Sequence, residues 1–150
     1  VPDVPARPVH LQLRFIIPVI LGGMAGVAAR EGLVLAFPYD DVPWIIGAIN
    51  IGGAFLLGFL LGLLPRLGPD TGGRRVLRLF AGTGMLGGFT TYSALATDAA
   101  SLTSDGLPLA GLGYALVSVI VGVLAAAAGM RMAAAVRVTP RVELTGEEDA

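Results

Sequence analysis

Gly82-Thr83-Gly84-Met85-Leu86-Gly87-Gly88-Phe89-Thr90-Thr91-Tyr92-Ser93 is the stretch that decides how this chain folds. It places four glycines and three threonines in the middle of a run that carries no charge from Leu79 to Thr97. Glycine disfavours helix by about 1 kcal/mol per residue, so the pair Gly87-Gly88 is expected to loosen or break a helix at that point. Unwound backbone at membrane depth survives only where protein buries it or where it lines a cavity. Carbonyls freed by such a break can coordinate a cation, and the half-helix N-terminus that follows favours an anion. Past the break, Ser93, Thr97 and Ser101 fall four residues apart, on one helix face. A ladder of hydroxyls offers donors that replace water without a fixed charge, which an ion path requires. The alternative is that these hydroxyls bond back to their own helix, as Ser and Thr often do.

Outward from this segment the rest of the chain reads as further spans. A bilayer core about 30 Å thick needs roughly 20 apolar residues per helix, and four stretches qualify: 13–37, 42–64, 75–103 and 106–131. The expected fold is an all-α membrane protein of four transmembrane helices, the third broken mid-membrane. One four-helix membrane unit over 1–137 is followed by an acidic tail, 138–150, expected to be disordered. Composition agrees: of 150 residues, 55% are hydrophobic and only 14% charged, far from the quarter charged of soluble domains. A net charge of -1 provides no basic field for nucleic acid. The absence of cysteine excludes disulfides, thiolate metal sites and a Cys nucleophile. The single histidine, His10, precedes the first span, and no catalytic constellation is recognisable, so an enzyme is not expected. Val1–His10 is Pro-rich and does not read as a signal peptide, so the first hydrophobic run is expected to be retained.

Small residues recur at helical spacing. Gly22, Gly26 and Arg30 share a face of the first span; Asn50, Ala54, Gly58 and Gly62 share one on the second; Tyr114, Ser118, Gly122 and Ala126 share one on the fourth. Such stripes are packing seams first of all, but each carries a polar residue, and a polar group within a span is a functional candidate. All ten basic residues are arginine. Apart from Arg30 they are Arg7 and Arg14, which precede or open the first span, Arg66, Arg74, Arg75 and Arg78, which flank the second loop, and Arg131, Arg137 and Arg141 at or beyond the end of the fourth span. The first and third loops carry only Asp40, Asp41 and Asp105. The positive-inside rule then puts both termini and the second loop in the cytoplasm, in a multi-pass cell-membrane protein.

The motifs together resemble the CrcB/Fluc family of small fluoride channels. Gly87-Gly88-Phe89-Thr90-Thr91-Tyr92-Ser93 resembles that family's GG-[FL]-TTFS signature, and Gly22-Gly23-Met24-Ala25-Gly26-Val27-Ala28-Ala29-Arg30 its first-helix GG-x-x-G-x-x-x-R. Pro43-Trp44 with Asn50-Ile51-Gly52-Gly53-Ala54-Phe55-Leu56-Leu57-Gly58-Phe59 resembles its second helix, and Tyr114 and Ser118 fit its fourth. The resemblance implies an antiparallel dimer in the lipid bilayer, two fluoride pores, and a structural sodium ion at the dimer centre held by the backbone carbonyls of Gly87 and Thr90. It implies pore positions at Asn50, Phe89, Tyr92, Ser93, Thr97, Tyr114 and Ser118, and structural parts for Arg30, Gly88 and Thr91. The implied function is passive, selective export of cytosolic fluoride without an organic cofactor. Fluoride against phenylalanine edges is physically sensible, since a ring is positive at its edge.

The chain departs from that pattern. Tyr92 and Leu95 stand where the family has phenylalanines, and Ile46 where it has threonine. Glu31 beside Arg30 is also unusual, and as immediate neighbours the two are not expected to pair across one helix face. The nine-to-zero arginine count should fix the chain in one orientation. The expected partner is therefore an oppositely oriented paralogue, although a homodimer stays open. Two further readings remain. One is a non-conducting or partly degenerate partner subunit of a heterodimeric channel; the other is a small multidrug-type proton-coupled transporter using Glu31.

Overall fold

The computed structural model describes residues 12–38 and 44–137. Arg7, His10, Asp40, Asp41, Pro43, Arg141 and the acidic tail lie outside the described residues. Every regular element among the described residues is helical: α1 (Leu13–Ala36), α2 (Trp44–Leu63), a 3-10 turn (Leu64–Leu67), α3 (Gly72–Leu77), a π-helical stretch (Arg78–Leu86), α4 (Gly87–Phe89), α5 (Tyr92–Ser104) and α6 (Pro108–Ala135). The ends are set by local chemistry. α1 stops at Phe37, the residue before Pro38, where the proline ring disfavours helix. α2 gives way to the 3-10 turn at Pro65, and Gly68 then takes a φ of 126° that a side chain would resist. Arg74 donates to the carbonyls of Pro69 and Leu67, closing that loop. α5 ends at Asp105-Gly106, and Pro108 opens α6 at a position where its missing N–H is harmless.

Among the described residues three helices are long and apolar enough to cross a membrane: Leu13–Ala36, α2 with its 3-10 extension (Trp44–Leu67), and α6. At 1.5 Å per residue α6 alone would extend about 42 Å. The expected third span, 75–103, is not one helix. It is a chain of short pieces, α3, the π stretch, α4 and α5, interrupted at Thr90-Thr91. The π stretch was not legible in the sequence, where the pattern up to Leu86 reads as ordinary α-helix.

Helices that follow one another in sequence are not the main packing partners. α1 runs parallel to the third segment: a methyl on Gly22 would strike the Phe80 carbonyl and one on Gly26 the Met85 carbonyl, while Gly84 and Gly88 press back on Val19 and Gly23. α2 runs parallel to α6 in the same manner, Gly58 against Ala126, Gly62 against Met130 and Ala133, and Gly129 against Phe55. Both pairs are backbone-to-backbone contacts that only small residues permit. The stripe on α6 is thus displaced from the expected one. Ala126 is in the seam, but it continues through Gly129 and Ala133, whereas Gly122 faces open space.

The arginine-rich ends gather on one side. Arg14 and Arg75 both stand over the Phe15 ring, 4.7 and 5.6 Å from its centroid, joining the start of α1 to α3. Arg66, beyond α2, donates to the Ala133 carbonyl at the end of α6. Asp70 pairs with Arg78 at 2.8 Å and Arg75 at 3.5 Å. At the opposite end Phe37 meets Trp44 edge-on. Ile45, Ile46 and Ile49 form a buried cluster, with Leu33, Val34, Phe89 and Ala94 against it. Ile46, where the family pattern has threonine, is therefore a core residue here. The outside is apolar instead: Leu35 and Leu109 are 80% and 83% exposed. That distribution suits lipid or a partner chain rather than water.

Candidate functional site

The site is the interruption at Thr90-Thr91. Thr90 has φ -79°, ψ 152° and Thr91 has φ -146°, ψ 122°, so two consecutive residues are extended between helical pieces. β-branched threonine tolerates this conformation well. Its hydroxyl also supplies local partners. Thr90 Oγ1 donates back to the Leu86 carbonyl, 2.9 Å away. Thr91 Oγ1 accepts from the Ala94 N–H and so caps the start of α5.

The break does not fall on the glycines as expected. Gly87 is helical, with φ -66° and ψ -34°. Gly88 is helical too and serves close approach, since a methyl there would strike the Gly23 backbone. Glycine's weak helix preference is overridden by that packing. The chain unwinds two residues later, where side-chain groups replace the lost backbone bonds.

The decisive replacement comes from α2. Asn50 Nδ2 donates to the Thr91 carbonyl at 3.0 Å, and the Thr91 N–H donates to Asn50 Oδ1 at 2.8 Å. One side-chain amide thus satisfies both backbone groups of a residue that is 8% exposed. Left unpaired in an apolar medium, each would cost several kcal/mol. In a continuous helix the Thr91 and Ala94 N–H groups would reach the carbonyls four residues earlier, those of Gly87 and Thr90. Asn50 and the Thr91 hydroxyl divert both donors. Gly87 and Thr90 are the two residues whose carbonyls the sequence reading named for a cation. Among the described residues no cluster of three or more His, Cys, Asp or Glu could hold a metal ion. Backbone oxygen is the donor set on offer, and it suits a hard cation.

Thr91 borders two cavities. On the α1 side, about 360 Å³ is lined by Arg30, Glu31, Thr91, Ser93, Thr97 and Asp98, among others. On the α6 side, an open groove of about 390 Å³ includes Asn50, Thr90, Tyr92, Leu95, Ser118 and Gly122. The structure therefore brings Ser93, Thr97 and Arg30 together, and separately Asn50, Tyr92 and Ser118. Ser93 Oγ lies 3.1 Å from Thr91 Oγ1 and does not bond back to its own helix, in contrast to Thr103 and Ser104. Ser101, the third rung of the expected ladder, is exposed and does not line the cavity. Phe89 packs into the isoleucine cluster and over Gly53. Tyr92 is 80% exposed and Leu95 only 6%.

Two corrections concern charge. Arg30 and Glu31 do pair: Arg30 Nε and Nη2 both donate to Glu31 Oε1, at 3.2 and 3.1 Å. Adjacent residues leave a helix at different angles, but the long arginine side chain swings round far enough to close the gap. The second is Asp98, one residue past the uncharged run, which the sequence reading passed over. It lines the α1-side cavity and is hydrogen-bonded by Tyr114 from α6, and its buried Oδ2 has no hydrogen-bond partner among the described residues. The signal was available, because a carboxylate inside an apolar segment is a functional candidate by default.

Against known proteins, residues 17–130 match the family described as CrcB-like protein, Camphor Resistance (CrcB). The chain belongs to the CrcB family. This CrcB-family chain is 47% identical over 135 residues to a Leifsonia xyli subsp. xyli protein named fluoride-specific ion channel FluC 2, covering 86% of this chain and 90% of the relative. It is 50% identical over 122 residues to fluoride-specific ion channel FluC 1 of Cutibacterium acnes, covering 80% and 82%. It is 40% identical over 120 residues to fluoride-specific ion channel FluC of Mesorhizobium japonicum, covering 77% and 92%. The CrcB-family site is thus an unwound segment clamped by an asparagine between a polar cavity and a mostly apolar groove, in a membrane protein with at least three apolar helices.

Proposed function

We propose that this chain is a subunit of a fluoride-selective channel that exports cytosolic fluoride passively. The names of the relatives supply the ion, and the observation that carries the reading is the Asn50-clamped break. Amide and hydroxyl donors at Asn50, Ser93, Thr97 and Ser118 would exchange for the water of a strongly hydrated anion in steps. The broken third segment, Gly72–Ser104, would also cross the membrane, in addition to the three apolar helices, its irregular backbone tolerated because protein covers it. Two chains would pair antiparallel through the groove side, where apolar residues of α6 are exposed.

In that dimer the Gly87 and Thr90 carbonyls, freed of their helical donors, would hold a sodium ion together with the equivalent groups of the second chain. The ion would neutralise converging carbonyl dipoles at the dimer centre.

The partner is proposed to be an oppositely oriented paralogue. The arginines at one end of the fold favour a single orientation, and two of the relatives carry the numbered names FluC 1 and FluC 2. A non-conducting or partly degenerate partner role is the second reading. It is favoured by the buried Leu95 and by Phe89 committed to the core, which leave this chain few aromatic edges to offer. Fluoride efflux from liposomes tests both. The chain with its paralogue is expected to conduct and the chain alone to conduct poorly. Robust efflux from the chain alone would refute the obligate heterodimer. No fluoride-selective efflux from either preparation would refute the channel.

A further inference from the structure

We propose that Asn50 is the residue that builds the cation site, by keeping the Thr91 N–H away from the Gly87 carbonyl. The inference rests on the sodium reading above and concerns a different part for Asn50 than the pore donor expected from sequence. The amide meets Thr91 at two points, 2.8 and 3.0 Å, and this uses one of its two Nδ2 protons and one acceptor direction of Oδ1. It does for Thr91 what a neighbouring β-strand would do, offering an acceptor and a donor side by side to an extended residue. The helix ladder supplies the consequence. Thr91 is four residues after Gly87, so its N–H has one native competitor for Asn50 Oδ1, the Gly87 carbonyl.

Remove the amide and the N–H is left without a partner in a buried place. Its cheapest remedy is to extend α4 by a turn and bond to Gly87. That step consumes the lone-pair direction a cation would use and pulls Thr90 towards helical dihedrals, re-aiming its carbonyl as well. Asn50 therefore links the groove it lines to the cation it does not touch. Its remaining Nδ2 proton is what it has left for an anion, so the same side chain would serve both ions.

The test is sodium-dependent thermal stabilisation of the purified full-length protein, with its paralogue if pairing requires it, in detergent. NaCl is exchanged for N-methylglucamine chloride at constant ionic strength. Wild type is expected to gain melting temperature with sodium, rising with the logarithm of its concentration once that exceeds the dissociation constant. Asn50→Leu, similar in shape but without the amide, is expected to move the onset of that rise to about tenfold higher sodium or to abolish the response, the size expected when one hydrogen bond occupies a ligand. A general loss of stability would lower the whole curve without moving its onset. If Asn50→Leu does not yield folded protein, Asn50→Ser, whose hydroxyl is too short for both contacts, is read in the same way. A variant whose rise begins at the same sodium concentration as wild type overturns the proposal for Asn50 while the sodium site stands. A flat wild-type curve overturns the sodium reading and this inference with it.

Discussion

Gly26→Ala should separate α1 from the third segment, and Gly32→Ala, six residues along the same helix, should not. A methyl on Gly26 would overlap the Met85 carbonyl oxygen and lie 2.8 Å from Phe89 N and 2.9 Å from Met85 C. Comfortable contacts between such atoms begin at roughly 3.5 Å, so α1 must retreat by most of an ångström. The obstacle is backbone, which cannot rotate aside as a side chain could. Overpacking of this kind costs about 1–3 kcal/mol, and the upper half of that range applies. The gain in helix preference offsets about 1 kcal/mol, leaving a net loss of about 1–2 kcal/mol. At Gly32 nothing lies within 4 Å, so only the gain of up to about 1 kcal/mol remains. The two variants should therefore differ by about 2–3 kcal/mol, on the order of a hundredfold in the folding equilibrium. Denaturant titration in mixed micelles, followed by the fluorescence of the single tryptophan, Trp44, measures this difference. Equal stability of the two variants would refute the close parallel contact between α1 and residues 80–89.

Two other perturbations probe the charged ends. Glu31→Gln releases Arg30 from its paired carboxylate, so the α1-side cavity becomes more positive; fluoride efflux from proteoliposomes holding the chain with its proposed paralogue is expected to exceed that of the wild-type pair, most clearly at low salt, where charge is least screened. Asp70 is held below its usual 3.8 chiefly by the hydrogen bond from Arg78, against a smaller opposing effect of burial, with the Arg78 and Arg75 charges adding to the lowering. Because its folded value is depressed, the stabilisation is present above 3.8 and lost as pH falls through the lower folded value. The wild-type melting temperature should therefore fall in that acid range by more than that of Asp70→Asn; the group is exposed, so the difference is small.

Part of the candidate site is legible in the sequence, residue by residue. Gly22 and Gly26 at a spacing of four announce a seam, and a seam is where they lie. Asn50 announces itself as an amide in an uncharged span. The break lies two residues past the glycines, because the sequence shows glycine's weak preference for helix but not the Gly23 backbone that holds Gly88 in one. Asp98 stands at the border of an apolar run, and its neighbour Tyr114 is on another helix, so no local pattern reveals the contact. Helix-face geometry does not predict the Arg30–Glu31 pair, because it does not limit a side chain as long as arginine.

By itself the sequence determined the solvent and the periodicity: apolar runs of membrane length, small residues every fourth position, and nine of the ten arginines kept to the chain's ends and the second loop, all of which are local or additive properties. The tertiary structure alone decided that α1 lies along the third segment and α2 along α6, and that Thr91 rather than Gly87 is extended. Those outcomes depend on which backbone atoms another helix presents. The amide that makes the interruption affordable stands forty-one positions away from it, and no local pattern encodes where its two hydrogen bonds will land.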